Sequence, residues 1–338
     1  MPRTSRLSAE IDFDRDGKQT GFLRLPHSVH RSAYGWLPIP IACIRNGDGP
    51  RVLLMSGNHG DEYEGQVALM KLLRRLEPGD MRGRIVFLTA ANFPAAMAGM
   101  RTSPIDEGNL NRSFPGDPDG TVTQQIAWWI EHVMLPQCDY VLDLHSGGSS
   151  LMYVPSALCR RHADAGQMET ALGLLRTFGA PCAYVTDAPN GEDRTLTAAA
   201  IRQGVVHLGT ELAGGGQVTP SALAIAEAGV RRVLHRIGVL AGPAPEPPPP
   251  TRLMQVRGSA YYVYAPDGGL FEPLVELGDE VKAGDPAGLI HFQDTPWREP
   301  SMARFARDGF VLCKRVPGRT ERGDCLFHLG TPYEAAGD

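Results

Sequence analysis

The chain has 338 residues, a formal net charge of −5 and a sequence pI near 6.1. That length exceeds the usual size of one hydrophobic core and predicts two domains, and the mild acidity argues against nucleic acid or a membrane surface as a partner. The six cysteines lie scattered without a C-x-x-C pair, the first residues lack an apolar signal segment, and no apolar run reaches spanning length; the expectation is a soluble, cytoplasmic protein with reduced thiols.

In chain order, residues 1–50 read as a β-rich segment, with extended stretches at 21–25 and 37–44 and a dense turn at Asn46-Gly47-Asp48-Gly49-Pro50. His27 and His30 read as loop or subunit-contact residues, and a homo-oligomer is an open expectation. The apolar run Val52-Leu53-Leu54-Met55 predicts a buried strand, and the helical spacing of apolar residues over 66–73 predicts a helix. Between them lies Gly57-Asn58-His59-Gly60-Asp61-Glu62, in a strand-to-helix loop of the kind where open α/β sheets bind ligands. His59 and Glu62 form an H-x-x-E pair, an imidazole and a carboxylate suited to zinc. Taken alone, such a pair is more often a solvated helix start.

A further strand is expected at 84–90, so strands and helices alternate as in an α/β sheet. The long polar loop 101–116 follows, and loops of that length inside a compact domain tend to be functional. In it Asn111 and Arg112 stand side by side, suited to clamp a carboxylate; for an isolated pair a surface salt bridge is the blander alternative. A second apolar strand, Tyr140-Val141-Leu142-Asp143-Leu144, ends on His145 and a Gly-rich loop. Together His59, Glu62 and His145 would leave the fourth position of a tetrahedral zinc open, which is the catalytic pattern. Asp143 lies on the same side of its strand as His145 and is placed to accept that ring's other N–H.

Downstream come a polar, turn-rich stretch at 186–196, a strand at 205–210 ending at Glu211, and a helix over 221–240. The Pro-rich run at 243–250 reads as a semi-rigid linker. It divides residues 1–242, which carry the candidate zinc ligands, from a small all-β domain at 251–338. Within the latter, the phrase Gly278 to Asp285 resembles biotinyl/lipoyl-type barrels but lacks their Met-Lys attachment hairpin, so no such group is expected. Tyr261, Tyr262 and Tyr264 read as the core of that domain.

Four ordered motifs carry a family resemblance: Gly57-Asn58-His59-Gly60-Asp61-Glu62, Asn109-Leu110-Asn111-Arg112-Ser113-Phe114-Pro115-Gly116, Asp143-Leu144-His145 and Thr210-Glu211-Leu212-Ala213-Gly214. Their order resembles the succinylglutamate desuccinylase/aspartoacylase family. The wording at 34–40 and 103–106 resembles its branch of Nα-acetyl-L-2,4-diaminobutyrate deacetylases of ectoine degradation. The resemblance implies a carboxypeptidase-like mixed sheet flanked by helices, with a barrel-sandwich-like β domain behind it. It also implies one zinc ion on His59, Glu62 and His145, an Nα-acyl amino acid substrate, and Glu211 as general base. By the same resemblance Asn111 and Arg112 would take the substrate carboxylate and Arg101 would match the oxyanion arginine, at a longer spacing from Arg112 than in the aspartoacylase pattern. A diamino acid substrate would let Glu192 or Asp193 meet its ammonium and Arg194 its carboxylate, although solvated loop charge is the commoner meaning of such residues. Where the family often reads Glu-Leu-Gly-Gly this chain has Ala213, which is tolerable if the backbone there needs no positive φ. Competing expectations are desuccinylation of succinylglutamate, deacylation of acetylaspartate, and a non-catalytic metal or amino-acid binder on the same fold.

Overall fold

A computed structural model describes residues 4–187 and 192–334; the centre of the expected turn-rich stretch, 188–191, and the first three residues of the N-terminal segment lie outside the described residues. The N-terminal segment forms β1 (Ser8–Ala9), β2 (Gly17–Pro26) and β3 (Trp36–Asn46), with β2 and β3 paired antiparallel from Gly17↔Arg45 to Pro26↔Trp36. After the Gly-Pro turn come β4 (Arg51–Ser56), α1 (Tyr63–Arg75), β5 (Gly83–Leu88) and α2 (Phe93–Ala98). The polar loop holds one short 3-10 turn, Leu110–Arg112, before α3 (Val122–Trp129) and β6 (Tyr140–His145). Next are β7 (Leu151–Tyr153), β8 (Ser156–Arg160), α4 (Ala165–Phe178), β9 (Cys182–Thr186), α5 (Leu196–Arg202), β10 (Val206–Glu211) and α6 (Pro220–Arg236).

The central strands run in the order β5-β4-β6-β10, all parallel, and antiparallel β3 and β8 flank them. A parallel sheet of this kind is covered on both faces, which is why β4 and β5 read as nearly continuous apolar runs. In β4, Val52 and Leu54 enter a core formed with α1, α4 and α6, while Leu53 and Met55 enter a second core with α3 and α5. No helix among the described residues is long and apolar enough to cross a membrane.

The proline run 243–250 forms neither helix nor strand. Beyond it lie β11 (Arg252–Val256), β12 (Tyr262–Tyr264), β13 (Gly269–Pro273), β14 (Glu280–Val281), β15 (Pro286–His291), β16 (Ser301–Arg304), β17 (Gly309–Arg315), β18 (Arg319–Thr320) and β19 (Cys325–Pro332). These strands do not stand apart from the sheet before them. β11 pairs in parallel with β9, β19 pairs with β11, and β17 pairs with both β19 and β7. A separate antiparallel sheet, β16-β15-β13-β18, packs on a third core containing Tyr261, Phe271, Phe305 and Phe327.

One close approach sets the distance between α1 and β6. A Cβ on Gly65 would lie 2.5 Å from Leu144 Cβ and 2.7 Å from its carbonyl oxygen, whereas one on Gly79 would meet nothing within 4 Å. Gly65→Ala is therefore expected to lose about 1–3 kcal/mol through overpacking, despite alanine's better helix propensity, and Gly79→Ala less than about 0.5 kcal/mol. Urea unfolding of the two variants checks this; equal stabilities would mean that α1 is free to shift.

Candidate active site

Two neighbouring parallel strands bring the three expected ligands together. β4 and β6 run in register with Met55 opposite Asp143 and Ser56 opposite Leu144, so both release their chains at the same edge. The chain leaves β4 through Gly57 at φ +66°, where a Cβ would stand 2.8 Å from the backbone of Ala90. Glycine alone fits both conditions. The turn then carries His59 and places Glu62 at the N-cap of α1. On β6, the His145 backbone N–H donates to Thr210 Oγ1 at 3.1 Å and its carbonyl accepts from the Leu212 N–H at 2.9 Å. In the parallel pair β6–β10, Glu211 is the register partner of His145.

All three side chains are buried, and His59 Nδ1 and His145 Nδ1 each lie 2.7 Å from an oxygen of Glu62. The opposite ring nitrogens are held as well. His145 Nε2 is 2.7 Å from Asp143 Oδ2, itself reached by Asn58 Nδ2 at 3.3 Å, and His59 Nε2 is 3.2 Å from Asn109 Oδ1. Oxygens that only accept face both nitrogens of each ring; with a cation shared at Glu62, the N–H of each ring belongs on Nε2, toward Asp143 and Asn109. Both neutral rings then turn an Nδ1 lone pair toward a carboxylate. The ligand-type atoms of these three groups lie within 4.8 Å of one another, so the set fits a metal ion. A proton is the substitute: burial opposes charge on His145, but Asp143 and Glu62 outweigh it and hold the pKa well above the ordinary value. For His59 burial prevails and the pKa is lowered.

Around this cluster opens a cavity of about 340 Å³ that Glu211, Arg101, Asn111 and Arg112 also line. Glu211 Oε2 is buried without a hydrogen-bond partner. Burial, then the negative charge of Glu62, raises its pKa well above the usual carboxylate range. Arg101, half-exposed, brings Nη1 to 3.3 Å from His59 Nδ1 and 3.6 Å from Glu62 Oε1. Asn111 is fixed by the Leu196 N–H, which donates to its Oδ1 at 2.9 Å at the start of α5. Arg112 lies beside it with its guanidinium half-exposed at the cavity.

Arg194 is not brought to this cavity. Its guanidinium is 64% exposed and spends two bonds of 2.9 Å on the two oxygens of Glu192. Asp193 likewise turns outward to Arg160, at 3.2 Å. Glu192 lines an adjoining pocket. The tyrosines also differ from expectation. Tyr261 is core, but Tyr262 and Tyr264 line the cavity, with Val263 between them buried. Strand alternation in Tyr262-Val263-Tyr264 carries that signal, because i and i+2 share a face. Asn109, inside a quoted motif, had no assigned role, and Tyr153 and His328 had no sequence signal.

Comparison with known proteins follows the same lines. A family model described as the succinylglutamate desuccinylase/aspartoacylase catalytic domain matches residues 48–237. The chain is 42% identical over 335 residues to the N-alpha-acetyl-L-2,4-diaminobutyric acid deacetylase of Halomonas elongata, covering 99% of this chain and 98% of that one. Among solved structures, the product-bound ectoine utilization protein EutE (DoeB) of Ruegeria pomeroyi superposes with a TM-score of 0.92 at 39% identity, over 97% of this chain and 99% of that one. A succinylglutamate desuccinylase/aspartoacylase of Rhodobacter sphaeroides gives 0.93 at 41% identity, over 98% and 100%.

At Ala213 the condition for a tolerable alanine is not met, because the residue sits at φ +66°. It is kept there by position: its carbonyl accepts from the Gly147 N–H at 3.0 Å and the Tyr153 N–H at 3.1 Å, tying the loop after Glu211 to the loop after His145. Left-handed backbone costs alanine about 1–2 kcal/mol, and glycine's extra freedom when unfolded returns about 0.4–1. Ala213→Gly is expected to raise stability by up to about 1 kcal/mol, and the bulkier Ala213→Val to lower it. The urea midpoints of both variants measure the sign.

Proposed function

We propose that this chain, a hydrolase that belongs to the succinylglutamate desuccinylase/aspartoacylase family, cleaves Nα-acetyl-L-2,4-diaminobutyrate with water to acetate and L-2,4-diaminobutyrate, a step of ectoine degradation. One observation carries the reading. A three-donor cation cluster, the unpartnered Oε2 of Glu211 and the Asn111–Arg112 pair face a single cavity. Similarity along the whole chain to the Halomonas elongata deacetylase supports the choice of acyl group and amine.

In this reading His59, Glu62 and His145 hold one zinc ion, because two imidazoles and a carboxylate suit that metal. When bound, zinc polarises the acyl carbonyl and lowers the pKa of water beside it to about 7. Asp143 keeps the His145 proton on Nε2, which leaves Nδ1 as the ligand atom. Glu211 takes the proton of the attacking water and gives it to the amine nitrogen as the C–N bond breaks. A carboxylate whose proton affinity is raised by burial suits that shuttle. Arg101 offsets charge developing on the acyl oxygen. Asn111 and Arg112 receive the α-carboxylate, a pairing that favours the planar fork of arginine. All six cysteines are free thiols, which supports a reducing, cytoplasmic setting.

The Rhodobacter sphaeroides relative carries a different activity in its name, so succinylglutamate and acetylaspartate are the competing substrates. Amine release by the zinc-loaded protein on Nα-acetyl-L-2,4-diaminobutyrate, N-succinyl-L-glutamate and N-acetyl-L-aspartate separates them. Selective turnover of the first is expected. Glu211→Gln should lower kcat by at least about 100-fold with the metal content unchanged. Turnover of another substrate would move the reading to that acyl donor, and bound metal without any turnover would favour a binding protein. In a separate measurement, Asp143→Asn is expected to weaken zinc affinity by about 10–100-fold in a chelator competition. Unchanged affinity would mean that Asp143 does not orient the ligand.

A further inference from the structure

The cavity extends past the reaction centre. Its far side holds His328, on β19, and an adjoining pocket shares Tyr153, Glu211, Tyr262 and His328 with it before continuing to Tyr184 and Glu192. His328 is 3% exposed, and neither of its ring nitrogens has a hydrogen-bond partner. Buried polar groups are normally paired, and an exception calls for a cause. Three tyrosines wall the ring. Tyr262 stacks on it at 4.6 Å with 2° between planes, and Tyr153 and Tyr184 meet it edge-on at 5.9 and 5.8 Å. A neutral imidazole offers one lone pair, and electron-rich rings attract cations. Burial pulls the His328 pKa down to about 3, so that lone pair persists at neutral pH.

Among the described residues, the carboxylates on this side are already engaged. Glu192 is bound by Arg194 through both oxygens and stands 3.6 Å from Arg112, and Asp187 accepts from Arg161 at 3.0 Å. Arg160, the remaining cation of the adjoining pocket, is held by Asp193. Glu211 has its own part in the reaction. An organic ammonium entering the adjoining pocket finds an unpartnered buried nitrogen at His328, among the tyrosines that line it.

We propose that His328, walled by Tyr153, Tyr184 and Tyr262, receives the side-chain ammonium of a diamino acid and so determines specificity. The inference rests on the reaction proposed above, with the acyl group at the metal cluster and the α-carboxylate at Asn111 and Arg112. The test is calorimetric binding, to zinc-loaded protein, of L-2,4-diaminobutyrate and of L-norvaline, in which a methyl replaces the ammonium. Wild type is expected to bind the diamino acid at least about tenfold more tightly. His328→Phe, which keeps the ring stack and removes the lone pair, should erase that ratio while holding norvaline affinity within about threefold. Tyr262→Leu should reduce the ratio as well, and serves if the first variant does not fold, which thermal melting reports. A wild type without preference, or a folded variant that keeps the wild-type ratio, overturns the proposal. Turnover is read separately. An intact ratio that His328→Phe erases, without hydrolysis of Nα-acetyl-L-2,4-diaminobutyrate, would sink the reaction and leave the subsite. Hydrolysis together with a ratio the variants leave unmoved would do the reverse.

Discussion

Two imidazole lone pairs and one carboxylate meet at Glu62, each Nδ1 at 2.7 Å from an oxygen, and the surrounding structure exists to hold that approach. Acceptors brought together out of water repel one another unless a cation is shared, and the penalty grows as the site dries. The fold meets it with rigid supports. Asp143 and Asn109 hold the far sides of the rings, the Ser146 N–H donates to Glu62 Oε2 at 3.2 Å, and Asp61 accepts from the Ser149 N–H at 2.7 Å. Most of these supports come from the edge where β4 and β6 end in register, and Asn109 comes from the polar loop at its short 3-10 turn.

The cavity around that centre is composite. Its reactive wall comes from strands of the parallel sheet, and its opposite wall from Tyr262, Tyr264 and His328, which lie more than forty residues beyond the end of β10 at Glu211. The pairing of β7 with β17, Tyr153 opposite Cys313, draws the two together. In the proposed reading chemistry and selectivity sit on different stretches of chain, so that the aromatic wall can change while the reaction centre stays.

Much of this was legible beforehand because local patterns carried it. The run Val52 to Met55 is apolar on both faces, as buried parallel strands tend to be, Val141 to Leu144 is broken only by Asp143, and each leads into Gly-rich chain bearing a ligand-type side chain. Asn111 and Arg112 were legible as cavity residues from the polar loop that holds them. Arg194 was not, since a charged residue in a turn looks the same whether it faces a cavity or, as here, a neighbouring carboxylate at 2.9 Å. Ala213 escaped because the left-handed backbone it adopts is imposed by two carbonyl contacts from other loops. The tyrosines of β12 were half legible: alternation separates Val263 from its neighbours, but it does not say which face is the core.

By itself the sequence determined the periodic elements, the family to which the chain belongs and the three side chains able to share a cation, because each depends on residue type and short-range spacing. Only the tertiary structure decided which ring nitrogen faces Glu62, that Glu211 stands beside His145, and that strands after the proline run continue the main sheet and wall the cavity. Those outcomes depend on strand order and register. They arise from contacts between residues far apart in the chain, which no local pattern encodes.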